Sequence, residues 1–254
     1  LSARLNRGSA IVVGASSGIG AALVERLAGE GWRVAALARR GEELAALASR
    51  AGPAAAAAGG ALVVHEHDVH DTAGVPALFE SLVRQLDGLD LLVYAAGIMP
   101  AVARGEYDTG KDLQILAVNF GGLVAWGNAA AALFHTQRSG AIVGISSISA
   151  NRGRKGNPLY GASKAALDNY LESLRNRLAE VGVHVCTIKP GYVATRMTAG
   201  MDKLFWVASP GEAAAAILDA VATRANERYV LRRWWVVGTV IRFIPSFVFR
   251  RLNF

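Results

Sequence analysis

The chain has 254 residues, of which 52% are apolar, with 28 glycines, 7 prolines and a formal net charge of +7. That length buries most of its apolar surface in one large domain, and the composition excludes extended disorder away from the ends. Between Arg224 and the C-terminus stand seven arginines and one acid, Glu227. The body is therefore close to neutral, which argues against nucleic-acid binding across the whole surface.

Strand-like and helix-like stretches alternate from the start. Ala10–Val13 reads as a strand, Ala21–Gly31 as a helix and Arg33–Ala38 as a strand. Between the first strand and helix lies Gly14-Ala-Ser-Ser-Gly18-Ile-Gly20. Glycines there permit a tight turn and close backbone approach to a pyrophosphate, and the helix N-terminus offers free N–H groups to it. A dinucleotide site with an acid at the end of the second strand reads the ribose 2′-hydroxyl of NAD. Here the strand ends in Arg39 and Arg40, whose guanidinium forks suit the 2′-phosphate of NADP. NADP(H) is accordingly expected over NAD.

Glu42–Arg50 reads as a helix, and the alanine-rich Ala51–Gly60 as a loop or frayed helix end. Ala61–His67 is a strand leading to Asp68, Val75–Leu86 a helix, and Leu89–Ala95 a strand leading to Ala95-Ala96-Gly97. His65, Glu66, His67 and His70 lack a further spaced ligand set, so no metal is expected. Lys111–His135 holds one long helix or two merged ones, and Ala141–Ser146 is a strand. Ser163–Val181 is a helix, His184–Lys189 a strand and Pro210–Thr223 a helix. Cys186, the single cysteine, sits in an apolar run and reads as a buried hydrophobe.

Continuous Val/Ile/Leu/Ala strands joined by helices indicate an α/β fold, a Rossmann-like doubly wound parallel sheet with helices on both faces. It is expected as a single catalytic domain over residues 1–230, followed by a basic aromatic tail over 231–254. No secretory signal precedes the first strand, so a cytoplasmic location is expected.

Tyr160 and Lys164 are four apart near the start of a helix, hence on one face, and Ser147 lies just past a strand. A neighbouring ammonium moves a phenol toward service as a general acid and base, and a serine hydroxyl can donate to a substrate oxygen as charge develops. With these residues in place, the chain resembles the short-chain dehydrogenase/reductase superfamily over roughly residues 8–225. The motifs are Gly14-x-x-x-Gly18-x-Gly20, Asp68, Ala95-Ala96-Gly97, Asn119, Ser147, Tyr160-x-x-x-Lys164, and Pro190-Gly191 with Thr195.

The resemblance implies a carbonyl–alcohol oxidoreductase. Tyr160 would be the general acid/base, Lys164 would tune it and bind the nicotinamide ribose, and Ser147 would polarise the carbonyl. Asn119 would hold a water linking Lys164 to solvent. Pro190, Gly191, Val193 and Thr195 would bracket the nicotinamide, and Ser16, Ser17, Ile19 and Val69 complete the cofactor set. It also implies a homo-dimer or homo-tetramer pairing the helices of Lys111–His135 and Ser163–Val181, whose Gly121, Gly122, Ala129–Ala132, Ala165 and Ala166 permit close approach. One departure is Tyr94-Ala95-Ala96-Gly97, where the family carries Asn-Asn-Ala-Gly. That removes side-chain hydrogen bonds expected to steady the central strand.

In such a family the segment Met197–Val207 forms a lid. Its Met, Phe and Trp side chains either line the substrate pocket, favouring a hydrophobic ketone or aldehyde over a sugar, or simply pack against the body. The tail's Trp, Phe and Ile interleaved with Arg suit a membrane interface, or a C-terminal helix packed over the active-site mouth or a neighbouring subunit. Packing is the favoured account. Arg242 and Pro245 interrupt the apolar run, so a spanning helix is not expected. A non-catalytic NADP sensor or scaffold on the same fold is the alternative function; an intact Asn119, Ser147, Tyr160 and Lys164 set argues against it.

Overall fold

A sheet of seven parallel strands runs in the order β3-β2-β1-β4-β5-β6-β7. The computed structural model describes residues 7–202 and 204–252. The strands are β1 (Ser9–Val13), β2 (Arg33–Ala38), β3 (Ala61–Glu66), β4 (Leu91–Tyr94), β5 (Ala141–Ile145), β6 (His184–Lys189) and β7 (Glu227–Tyr229). Helices α1 (Gly18–Gly29), α2 (Gly41–Ala57) and α7 (Pro210–Ala222) are on one side of the sheet, and α3 (Val75–Gln85), α5 (Gly122–Gln137) and α6 (Pro158–Leu178) on the other. Each face carries its own apolar layer, because β1, β4 and β5 are buried on both sides and contribute alternate residues to each.

The strand order reverses between β1 and β4. The chain winds outward through β2 and β3, then crosses back to start β4 on the other side of β1. Helices therefore leave in opposite directions at this point, and a crevice opens above the carboxyl ends of the strands.

Three features differ from the sequence expectation. Helix α2 continues through Pro53 to Ala57, where a loop or frayed end was expected. Pro53 removes one backbone donor and costs about 3 kcal/mol in a helix interior. Burial of Ala51 and Ala55 against Leu27, Ala28 and Trp32 offsets that cost. Helix α6 begins at Pro158, five residues before the expected Ser163, because Asn157 caps it by accepting from the Tyr160 amide at 3.2 Å.

Strand β7 was not anticipated: three residues with two charges carry no apolar pattern. Lys189 holds it by pairing with Glu227 at 2.9 Å and Asp168 at 3.0 Å, and the Arg175 guanidinium donates to the Val185 and Asn226 carbonyls. Over Lys111–His135 the structure takes the second of the two expected arrangements, two merged helices. Helix α4 (Thr109–Leu116) passes into α5 through a π turn at Ala117–Gly121. Among the described residues this is the one helical run long and apolar enough to cross a bilayer. Its Leu123, Trp126 and Phe134 are wholly buried against the sheet and neighbouring helices.

The tail folds back onto the body as α8 (Arg233–Phe243) and α9 (Ser246–Phe249). Arg152 fastens it by donating to the carbonyls of Ile241, Arg242 and Ile244 at the C-terminal end of α8, where a cation is favoured. The Arg152 guanidinium also lies 4.3 Å from the centroid of the Phe249 ring. Asn253 and Phe254 lie outside the described residues.

Candidate active site

One cleft of about 1140 Å³ runs along the carboxyl edge of the sheet at the reversal point. It gathers side chains and backbone from the ends of β1, β2, β4, β5 and β6 and from the first turns of α1 and α6. Every site residue anticipated from sequence lines it except Asn119, which is wholly buried behind Gly97.

At one end the turn after β1 places Gly14 at φ +93°, a backbone state that only glycine adopts without strain. A Cβ there would lie 2.4 Å from the Ala96 nitrogen, so the loops after β1 and β4 touch only because the side chain is absent. Ser17 precedes α1 in extended conformation and makes no side-chain cap, which leaves the first-turn N–H groups available to an anion. Arg40 donates to Ser16 Oγ at 2.6 Å and to Ser17 Oγ at 2.8 Å, and pairs with Glu43 at 3.4 Å. Arg39 reaches out to Asp68 at 3.9 Å. Hydrogen bonds from the His70 amide and ring hold the Asp68 carboxyl below its usual range. This donor-rich end, with two guanidinium groups beside a glycine turn, fits the phosphates and ribose of a dinucleotide. His67 accepts from the Trp126 indole at 3.3 Å. No cluster of three metal-ligating side chains occurs among the described residues.

At the other end Ser147, Tyr160 and Lys164 converge. Ser147 follows β5 and Tyr160 sits in the first turn of α6, with Lys164 one turn later. Tyr160 is 8% exposed. Burial pushes its phenol up from the ordinary value, while a hydrogen bond with Ser147 and the charge of Arg154 pull it back. Lys164, which the sequence reading expects to tune this phenol, lies with its Nζ 5.9 Å from the Tyr160 ring centroid and donates to the Ile145 carbonyl at 2.7 Å.

Burial lowers the Lys164 ammonium to about 8, against the opposing pull of Asp168. A lysine whose folded value falls below its unfolded value makes the unfolded chain bind more protons between the two values, so folding stability rises with pH across that window. Lys164 is expected to add stability as pH rises from about 8 to about 10.5. Denaturant titrations of the native chain and Lys164→Met across this range check it: equal pH slopes would remove the assignment.

Asn119 occupies the π turn, where the extra residue turns its side chain inward. Its Oδ1 accepts from the Ile98 amide at 2.8 Å, and its Nδ2 donates to the Ile98 carbonyl at 3.0 Å and to Ser163 Oγ at 3.0 Å. Both amide hydrogens are spent on protein. Asn119 thus clasps the loop after β4 to the helix that bears Tyr160. The lost asparagines of the β4 motif are compensated in a way the sequence did not disclose. The Tyr94 hydroxyl donates to the Val118 carbonyl at 2.6 Å. The fit depends on Gly122, where a Cβ would lie 2.1 Å from that hydroxyl oxygen.

The lid divides its labour. Met197 and Met201 line the cleft, whereas Phe205 and Trp206 pack with Tyr192 and Trp234 of α8, ring centroids 5.1–5.8 Å apart. Lys203 lies outside the described residues. Two arginines on the loop before α6 were not singled out in the sequence: Arg152, which fastens the tail, and Arg154, which lines the cleft. Neither carries a recognisable motif. Cys186 is buried and its thiol is pushed up to about 12, so it stays protonated.

The sequence profile of the short chain dehydrogenase family matches residues 9–203. An uncharacterized oxidoreductase of Mycobacterium tuberculosis is 33% identical over 246 residues, covering 95% of this chain and 96% of its own. Carbonyl reductase family member 4 of Xenopus tropicalis is 32% identical over 192 residues, covering 76% of this chain and 78% of its own. Among solved structures, a short-chain dehydrogenase from Sphingobium yanoikuyae in complex with NADPH superposes with a TM-score of 0.79 at 25% identity, covering 94% of this chain and 97% of its own.

Proposed function

The chain belongs to the short-chain dehydrogenase family, and on that premise we propose an NADP(H)-dependent carbonyl reductase that acts on a hydrophobic ketone or aldehyde, or in reverse on the alcohol. The convergence of Ser147, Tyr160 and Lys164 at one end of a cleft that holds Arg39 and Arg40 at the other carries the reading. The NADPH named for the Sphingobium enzyme and the carbonyl reductase name of the Xenopus relative support it.

NADPH, when bound, supplies the hydride that reduces the carbonyl carbon. The chain's own residues do the rest. Arg39 and Arg40 grip the 2′-phosphate, and Gly14, Ser16, Ser17, Gly18, Ile19 and Gly20 form the pyrophosphate turn. Asp68, Val69 and Ala95-Ala96-Gly97 wall the adenosine half. Pro190, Gly191, Val193 and Thr195 border the nicotinamide half. Ser147 donates a hydrogen bond to the substrate oxygen, and Tyr160 gives it a proton as negative charge builds there. Lys164 steadies the ribose beside the phenol. Asn119 positions this group by holding the Ile98 loop against α6. Met99, Pro100, Val102, Met197 and Met201 offer the substrate an apolar wall.

Arg40→Ala is expected to raise KM for NADPH about 10- to 100-fold and to leave KM for NADH nearly unchanged, because a charge-assisted contact is lost. Steady-state kinetics with both cofactors and a panel of ketones and aldehydes read this. Equal or better use of NADH by the native enzyme would exclude the NADP preference.

We also propose a homo-dimer or homo-tetramer and a peripheral membrane contact. Gly122 and Ala130 face the core, but Ala132 and Ala165 stand exposed on α5 and α6 and permit close helix pairing. On α8 and α9 the outer face exposes Trp235, Val236, Val240, Phe243 and Phe247 among arginines, a pattern that suits an anionic interface. Light scattering with and without phosphatidylserine vesicles is expected to show an oligomer that loads onto the vesicles. A monomer, or vesicles left bare, would remove the corresponding proposal.

A further inference from the structure

Arg152 and Arg154 alternate along the loop before α6 and have opposite fates. Arg152 is fully engaged with the tail. Arg154 turns to the substrate end of the cleft beside Asn157, Tyr160, Tyr192 and Met201. It makes no hydrogen bond or ion pair to any described residue, and its Nε is buried without a partner. Leaving a partly buried guanidinium uncompensated is costly, and proteins ordinarily pair such a group.

The surroundings supply no counter-charge. Among the described residues Asp68 is the one acid on the cleft wall, and it lies at the dinucleotide end, bonded to His70. On its other side Arg154 borders a cavity of about 330 Å³ shared with Lys155, Pro158, Phe249, Arg250 and Leu252. Three cations and a set of apolar side chains thus line that cavity, and Arg154 borders the cleft as well.

We infer that Arg154 receives an anionic group of the substrate, a carboxylate or phosphate, and sets it close to the carbonyl that faces Tyr160. The inference rests on the oxidoreductase reading of this site and narrows it: the substrate is an amphiphile, with an apolar body along the methionine wall and an oxyanion at the Arg154 fork. A guanidinium binds either oxyanion through two parallel N–H donors, which fixes orientation as well as charge. The bound anion also neutralises the pull of Arg154 on the Tyr160 phenol, so the proton stays on the phenol until the carbonyl oxygen takes it.

Calorimetric titration of the NADPH-loaded enzyme with octanoate, octyl phosphate and octanol tests the site without requiring turnover. At least one anion is expected to bind about tenfold or more tighter than octanol; the tighter of the two identifies the oxyanion. Arg154→Met is expected to abolish that preference, and Arg154→Lys to retain part of it. Equal binding of the three probes, or a preference that survives in Arg154→Met, would overturn the inference.

A turnover arm compares 5-oxodecanoate with its methyl ester. The acid-to-ester ratio of kcat/KM is expected to collapse in Arg154→Met. A loss shared equally by acid and ester would assign Arg154 to the phenol instead and overturn the anion site. Absence of NADPH oxidation with every carbonyl would defeat the reductase reading, while the titration would still report on the anion.

Discussion

Tyr160→Phe is expected to lower NADPH-dependent carbonyl reduction about 10²- to 10⁴-fold, the range contributed by a positioned general acid. The substitution removes one hydroxyl and leaves a buried ring of the same shape, so α6 and the cofactor cradle keep their packing and NADPH continues to bind. Burial pushes the phenol up, so it carries its proton at neutral pH, and Ser147 and Arg154 moderate the rise. A group in that state donates well to a developing alkoxide. Phenylalanine has no proton to give, and the ammonium of Lys164 is held away on the Ile145 carbonyl. Single-turnover NADPH oxidation together with cofactor titration by fluorescence checks the outcome. Undiminished turnover would show that the proton comes from elsewhere.

Trp234→Ala is expected to cost about 3–5 kcal/mol of folding stability, as for other large buried aromatics, and to raise KM for the carbonyl substrate. Trp234 is 2% exposed, and its ring lies so close to Gly191 that a Cβ there would come within 2.1 Å of it. It meets Tyr192, Phe205 and Trp206, and its indole donates to the Trp206 carbonyl at 3.3 Å. The tail thereby braces both the loop after β6 and the lid whose methionines line the cleft. Its neighbour Trp235 is 57% exposed. Trp235→Ala is expected to stay within about 0.5 kcal/mol of the native chain. Chemical denaturation of both variants reads the contrast, and similar midpoints would show that α8 does not brace the body.

Local pattern was enough wherever one segment carries its own signal. The buried strands β1, β2, β4, β5 and β6 show as largely apolar runs, and the glycine turn, the paired arginines and the Tyr160–Lys164 spacing each follow from neighbours a few residues apart. From these the parallel α/β fold, the position of the cleft and its glycine-turn, arginine and Ser147–Tyr160–Lys164 walls were legible; Met99, Pro100, Val102, Arg154 and Tyr192 on the same wall were not.

Contacts between distant segments settled the remainder. Strand β7 exists because Lys189 and Arg175 hold it from β6 and α6. Helix α2 passes Pro53 because Ala51 and Ala55 find a buried surface. Tyr94 replaces an asparagine because Gly122, 28 residues on, leaves room for its hydroxyl. The two arginines of one loop differ only in what lies opposite: helix-end carbonyls for Arg152, an open cleft without counter-charge for Arg154. Sequence spacing reports which face of an element a residue occupies. What packs against that face, and whether a buried charge is met there, depends on the assembled chain.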